Sequence, residues 1–320
     1  MTRPNPAPRV LYISPNRIGD SVIASGAVRE IGRQWPGARI TVAAGGPPSA
    51  FYRSAPGVEE ILVVNKTKGG GHWLRLLGQV MPRRWDVVID SRGSATSFLL
   101  WTRERRVYSN RLETGINKVE VVTRLMRADH LLEPELFIDD RARAEAAAVL
   151  DPQLAGGAGP GPILALAPIA VQKGKSWPAE RWGALVERLV VDDRFAGWRF
   201  MLVGGPGDQA PAAPALAAAG PRGIDCVGRG DILLSAAAIQ RASLFVGNDS
   251  GLMHVAAAAG TPTLGLFGPT EWWRYGPYGP RTRTVAANAQ KGVFKPIEDL
   301  TVDQVYAAVI DLHQSFAAKA

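Results

Sequence analysis

Three polar stretches carry side chains able to do chemistry, and each follows a short apolar run. The first is Gly247-Asn248-Asp249-Ser250-Gly251, which turns the chain after Leu244–Val246, with His254 one helical turn beyond Ser250. An apolar, alanine-rich helix is expected from about Leu252 to Ala259, stopped by Gly260 and Pro262. A helix opening there would aim unpaired N–H groups and the positive end of its dipole at one point, which suits a phosphate. Gly251 would let the anion approach the backbone closely. The second stretch holds Lys175, with Lys173 beside it, which could neutralise a pyrophosphate. Asp208, in Gly204-Gly205-Pro206-Gly207-Asp208, and Asp249 could accept hydrogen bonds from hydroxyls. The third is Asp20 with Arg17, just beyond RVLYIS. A carboxylate facing a cleft can serve as a general base. Plainer roles stay open: Asp249 or Ser250 as the cap of its helix, and Asp20 as the N-cap of the first helix.

Several other chemistries lack their signatures. The chain has no P-loop, no GxSxG elbow, no His or Cys cluster with metal-ligand spacing, and no GxGxxG after its first strand. No Asp-x-Asp pair sits in a strand-end loop, and Asp139-Asp140 and Asp192-Asp193 read as solvated carboxylates near helix ends. A metal-dependent phosphosugar site therefore has no support.

The elements that must position these residues alternate. Strands are predicted at Arg9–Ser14, Arg39–Ala44, Glu60–Val64, Trp85–Asp90 and near Val107. A helix is predicted from about Asp20 to Gln34, and Lys66 to His72 reads as a basic, glycine-rich mobile loop. Ala155–Pro162, AGGAGPGP, is the best linker. Beyond it strands are predicted at Ile163–Ala167, Phe200–Val203, Ile224–Val227, Leu244–Val246 and Thr263–Phe267. Helices are predicted at Ala179–Val191 and Ser235–Arg241, and a last one from Thr301 to about Phe316 with Thr301 and Gln304 as a capping pair. Strand–helix alternation on both sides of a linker means two doubly wound α/β domains, with a cleft between them as the default site.

With 320 residues, 46% hydrophobic and 21% charged, the chain is an ordinary globular one with room for two domains. One cysteine, Cys226, excludes an internal disulfide. No signal-peptide core and no bilayer-length apolar window are found, so a cytoplasmic location is expected, with a peripheral membrane contact left open. Residues 1–150 carry 22 Lys and Arg against 15 Asp and Glu, whereas residues 151–320 carry 15 against 14. The first half should thus meet an anionic partner: nucleic acid, an anionic membrane or an acidic substrate. Arg53, Lys66, Lys68, Arg92 and some of Arg103, Arg105 and Arg106 are the candidates.

VGNDSGLMHVAAAAGTPTLGLFGPT closely resembles the donor-site signature of glycosyltransferase family 9, the heptosyltransferases of bacterial lipopolysaccharide assembly. NRIGDSVIASGAVREI is similar to the family's amino-terminal loop and helix, and KSWPAERWGALVERL to the segment opening its second domain. WDVVIDSRG is similar to a family strand after which many members carry Gln at the Arg92 position. The resemblance covers nearly the whole chain. It implies a GT-B fold, two Rossmann-like domains at 1–158 and 159–320 facing across a cleft, with a last helix over about 301–318 packing back on the first. It implies an enzyme that transfers heptose, with inversion and without a metal or other cofactor, from an ADP-activated donor to an anionic inner-core glycolipid. Contact with the inner membrane stays open, and nucleic acid is not an expected partner. Asp20 matches the general base and Lys175 the lysine holding the donor pyrophosphate. Asp249, Ser250, Gly251, Leu252, Met253 and His254 match the donor-binding turn, and Asp208 stands where some members use Glu toward the ribose. Arg17, Arg53, Lys66 and Arg92 are the expected acceptor contacts. A nucleotide-sugar epimerase and a non-catalytic nucleotide-sugar-binding module are the rival classes on this architecture.

Overall fold

The computed structural model describes residues 7–113, 115–156 and 158–316. Its contacts divide the chain into two compact units, Met1–Phe137 and Ile138–Ala320. In the first unit β1 (Arg9–Ile13), α1 (Ile18–Ile23), α2 (Gly26–Gln34), β2 (Arg39–Ala44), α3 (Gly46–Ser49), β3 (Val58–Val63), α4 (Gly71–Val80), β4 (Trp85–Asp90), β5 (Thr102–Val107) and α5 (Lys118–Met126) follow in order. The second runs α6 (Asp140–Ala155), β6 (Ile163–Ala167), α7 (Ala179–Val190), β7 (Arg199–Gly204), α8 (Gln209–Ala219), β8 (Gly223–Val227), α9 (Ile232–Gln240), β9 (Leu244–Asn248), α10 (Gly251–Ala258), β10 (Thr263–Phe267), α11 (Trp272–Tyr275), β11 (Thr282–Ala286) and α12 (Val302–Phe316).

Both sheets are parallel throughout, ordered β3-β2-β1-β4-β5 and β11-β10-β9-β6-β7-β8. Their central strands are buried on both faces, so they read as unbroken apolar runs such as VLYI and ILALA. Each sheet winds outward from its first strand and then restarts on that strand's other side. The winding direction therefore changes between β1 and β4, and again between β6 and β9. Loops leaving the carboxyl ends of two such strands splay apart, and ligands of open α/β sheets bind in that crevice.

Three expectations are corrected. The first helix is two helices, because the Ser25 hydroxyl donates to the Val22 carbonyl at 2.6 Å and accepts from the Glu135 N–H at 2.8 Å. Gly26 then lies under residues 132–133, where a Cβ would come within 2.4 Å of the Glu133 carbonyl oxygen. Residues 66–72 are not a plain loop: Gly69 and Gly70 take left-handed conformations and α4 starts at Gly71. Thr67 and His72 bond each other, backbone N–H to ring nitrogen and N–H to hydroxyl. The unit boundary falls before α6, not at 158, because α6 packs on α9 and β8. Its Gln153 side chain accepts from the N–H of Asp225 and donates to that residue's carbonyl, on edge strand β8. Within the second unit α12 packs against α7, β9, β10 and β11, with Val305, Val309 and Leu312 in the core. Its Thr301–Gln304 capping box is formed as expected. Gly157 of the expected linker and residues 317 and 318 of the expected last helix lie outside the described residues, as do the first six residues. Among the described residues no helix is long and apolar enough to cross a membrane.

Candidate active site

The second unit's crevice is built by the loops after β6 and β9. The Ser176 hydroxyl donates to the Ala170 carbonyl at 3.1 Å and accepts from its N–H at 3.0 Å, closing the first loop. The Trp177 N–H donates to the Asn248 side-chain oxygen at 3.1 Å, and its indole N–H to the Leu300 carbonyl at 2.9 Å. This loop is thereby hung on the end of β9. Lys175 Nζ then lies 2.7 Å from Asp249 Oδ2, and the Thr270 hydroxyl donates to the same oxygen at 2.7 Å. The pair is mostly shielded, with Asp249 6% and Lys175 16% exposed. Thr270 had no role assigned from the sequence; its signal was only its place at the end of the glycine-rich stretch.

This arrangement removes the plainer role of the turn. The Asp249 carboxylate binds Lys175 and Thr270, not the helix. Ser250 occupies the N-cap position of the eight-residue α10 with an extended backbone, yet its hydroxyl caps nothing. Its Oγ, like Asn248 Nδ2, is buried without a hydrogen-bond partner among the described residues. The first N–H groups of α10 therefore keep the anion-binding capacity that a side-chain cap would have filled. Gly251 and Leu252 are half-buried at this mouth. Met253 is fully buried against Gly265, where a Cβ would lie 2.4 Å from its sulfur, so its side chain is core and only its backbone can serve a ligand. His254 is buried on the same helix. Asp208, after β7, accepts the Gly205 N–H at 2.8 Å, so one carboxylate oxygen holds its own turn.

In the first unit the crevice lies between the loops after β1 and β4. Buried hydroxyls tie it together: Ser14 to Tyr52 at 2.6 Å, Ser21 to the Pro15 carbonyl at 2.8 Å, Ser91 to Tyr12 at 3.3 Å, and Tyr12 to the Ala24 carbonyl at 3.2 Å. Burial pushes the Tyr12 hydroxyl up to about 12, so it stays a neutral donor. Asp20 sits on α1 at the third helical position, three residues after the N-cap residue Arg17. It is half-buried, and its carboxylate has no partner among the described residues. Capping is therefore not its role.

Asp90 ends β4. Fully buried, it accepts the N–H groups of Arg92 at 2.8 Å, Gly93 at 3.1 Å and Ser94 at 2.8 Å, and the Ser94 hydroxyl at 2.5 Å. An Asp ending a strand before a polar turn was the available signal. The Arg92 guanidinium carbon lies over the Trp73 ring, 4.2 Å from its centre. Arg17, Arg53 and Lys66 are exposed; Arg53 and Lys66 follow α3 and β3, on the other side of β1 from Arg92. Arg105 and Arg106 leave the expected acceptor face. Arg105 donates to the carbonyls of Ser97 and Leu100, and the buried Arg106 to Glu104 and the Met126 carbonyl. Arg103 stays exposed, 3.5 Å from Asp86. Cys226 is buried, which pushes its thiol up to about 12 and makes it a poor nucleophile. Among the described residues no group of three His, Cys, Asp or Glu is placed to hold a metal ion.

Residues 127–299 match glycosyltransferase family 9 (heptosyltransferase). Lipopolysaccharide heptosyltransferase 1 of Pseudomonas aeruginosa is 26% identical over 85% of this chain and 81% of its own. The crystal structure of a family 9 glycosyl transferase from Veillonella parvula superposes with a TM-score of 0.81 at 19% identity, over 98% of this chain and 99% of that one. The ADP-heptose lipopolysaccharide heptosyltransferase II of E. coli superposes with a TM-score of 0.75 at 20% identity, over 96% and 99%.

Proposed function

The chain belongs to glycosyltransferase family 9 and has the GT-B fold, and from that premise we propose that it moves a heptose or related sugar from an ADP-activated donor to an inner-core lipopolysaccharide-type acceptor, with inversion and without a metal. The observation that carries this reading is the second unit's crevice, where Lys175 is fixed by Asp249 beside an uncapped helix start. A diphosphate fits that arrangement: the α10 N–H groups bind its oxygens, and Lys175 still has two N–H donors after bonding Asp249. As the bond from the anomeric carbon to the diphosphate breaks, negative charge grows on the leaving oxygen. The Lys175 ammonium and the helix start stabilise it in the role a metal fills elsewhere. The first unit takes the acceptor. Asp20 accepts the proton of the attacking hydroxyl, and a single displacement inverts the anomeric centre.

Incubation with ADP-heptose and truncated lipopolysaccharide acceptors, followed by mass spectrometry, tests the reading. The expected product is acceptor plus one heptose, with ADP released. An altered sugar nucleotide formed without acceptor would point to an epimerase, and tight binding without any product to a binding module. EDTA is expected to leave turnover unchanged; its loss would overturn the metal-free mechanism.

The exposed cations of the first unit give a separate prediction. Arg17→Glu and Lys66→Glu are each expected to raise acceptor KM about three- to ten-fold with donor KM unchanged, an effect that fades above about 0.1 M salt. Equal loss of both affinities would remove these residues from an acceptor face.

A further inference from the structure

The first unit holds a half-open pocket to which neither the general base nor the donor site gives a role. It measures about 450 Å³ and is lined by Trp73, Leu77, Arg92, Ser94, Thr96 and Leu99, among others. That volume lies in the range of small-molecule sites, about 300–1,000 Å³. Its charged wall is Arg92, and the loop carrying Arg92 is immobilised by the four donors converging on Asp90. Gly93 completes the loop in a left-handed conformation, where a Cβ would lie 2.7 Å from the Tyr108 carbonyl oxygen. The arginine is thus delivered from a rigid base.

One nitrogen of the guanidinium is unsatisfied among the described residues. Arg92 Nη1 is buried without a hydrogen-bond partner, and no ion pair reaches the side chain among the described residues. Arg105, Arg199 and Arg222 behave differently, each donating to two or more backbone carbonyls. Asp90 does not serve Arg92 in that way, because its oxygens already accept four other donors. Burial accordingly disfavours the charged form of Arg92, and the attraction of nearby Asp90 offsets this only in part. The guanidinium carbon lies over the Trp73 ring, 4.2 Å from its centre, and Nη1 keeps its N–H groups for a partner. A flat, pre-set fork of N–H donors fits the two oxygens of a carboxylate or phosphate.

We propose that this pocket is an anion subsite in which Arg92, set over Trp73, binds one carboxylate or phosphate of a sugar-sized ligand. That the ligand is the acceptor rests on the function proposed above; the subsite itself rests on the cavity and its unpaired cation.

The test is the melting temperature of the whole chain in glucuronate, inorganic phosphate and, as a neutral control, glucose, at matched ionic strength. Both anions, or one of them, are expected to raise the wild-type value, and glucose is not. Arg92→Gln is expected to melt close to wild type without anion, because it removes a half-buried charge that no ion pair holds among the described residues, and to abolish the anion-dependent rise. Arg92→Lys, which keeps the charge but loses the fork, should retain part of the rise and serves if the Gln variant does not fold. A response to glucuronate alone assigns a carboxylate, and one to phosphate alone a phosphate ester. No anion-specific rise in wild type, or an undiminished rise in Arg92→Gln, would overturn the subsite. In turnover assays Arg92→Gln is expected to raise acceptor KM about ten-fold, with donor KM unchanged; an unmoved acceptor KM overturns the link to the acceptor. The melting measurement needs no turnover, so failure of glycosyl transfer and failure of the subsite are separate results.

Discussion

Replacing Asp20 with Asn is expected to slow sugar transfer by about 10²–10⁴-fold, the usual worth of a general base. ADP affinity should stay unchanged, because the diphosphate is assigned to the second unit. The fold should survive as well. Asp20 is the third residue of a six-residue helix, caps no N–H and has no partner among the described residues. Asn therefore loses at most the attraction of a carboxylate to a helix start, about 0.3–1 kcal/mol. It keeps the size of Asp but cannot take up a proton at neutral pH. Turnover, ADP affinity and melting temperature on this one variant decide the matter. If Asp20→Asn turns over within a few-fold of wild type, another residue is the base and the mechanism fails.

Lys175→Ala is expected to weaken ADP binding by about 1.5–3 kcal/mol, the worth of a hydrogen bond to a charged group, or about 10–150-fold. It should also destabilise the chain. Asp249 would be left 6% exposed with only the Thr270 hydroxyl, and breaking a shielded ion pair from one side costs about 3 kcal/mol or more. The double variant Lys175→Ala, Asp249→Asn separates the two effects. It removes both charges, so stability should largely return, while ADP affinity should not. Calorimetry showing that the double variant recovers ADP binding along with stability would make Lys175 a structural residue and empty the donor site of its lysine.

Much of the fold was legible because it is local. The apolar runs RVLYIS, WDVVID, ILALA and LFV predicted buried parallel strands, and the glycine and proline stops around Gly260 and Pro262 framed the βαβ unit of β9, α10 and β10. The helix split at Ala24-Ser25 was not legible. Its cause is the Ser25 bond to Glu135, 110 residues away, and the packing of that segment on Gly26. The start of α4 was hidden by glycines that usually mark a loop, and the unit boundary by a glycine-rich stretch that stands after α6 and not before it.

The sequence by itself determined which residues could do chemistry here: Asp20, Lys175, Asp208 and the Asp249–His254 turn, each placed by its position after an apolar strand. It also determined that the positive charge gathers in the first half. Only the tertiary structure decided which partners those groups meet. Lys175 and Asp249, 74 residues apart, meet because β9 lies beside β6 in the sheet, and that pairing leaves Ser250 and the start of α10 uncapped. Strand order likewise sets the loop after β4 beside the loop after β1, and side-chain direction turns Arg105 and Arg106 onto carbonyls while Arg92 lies over Trp73 with no ion pair among the described residues. Local periodicity fixes what an element is and which face it buries. It carries no information on which other element will supply the partner of a charge, because that depends on contacts between residues far apart in the chain.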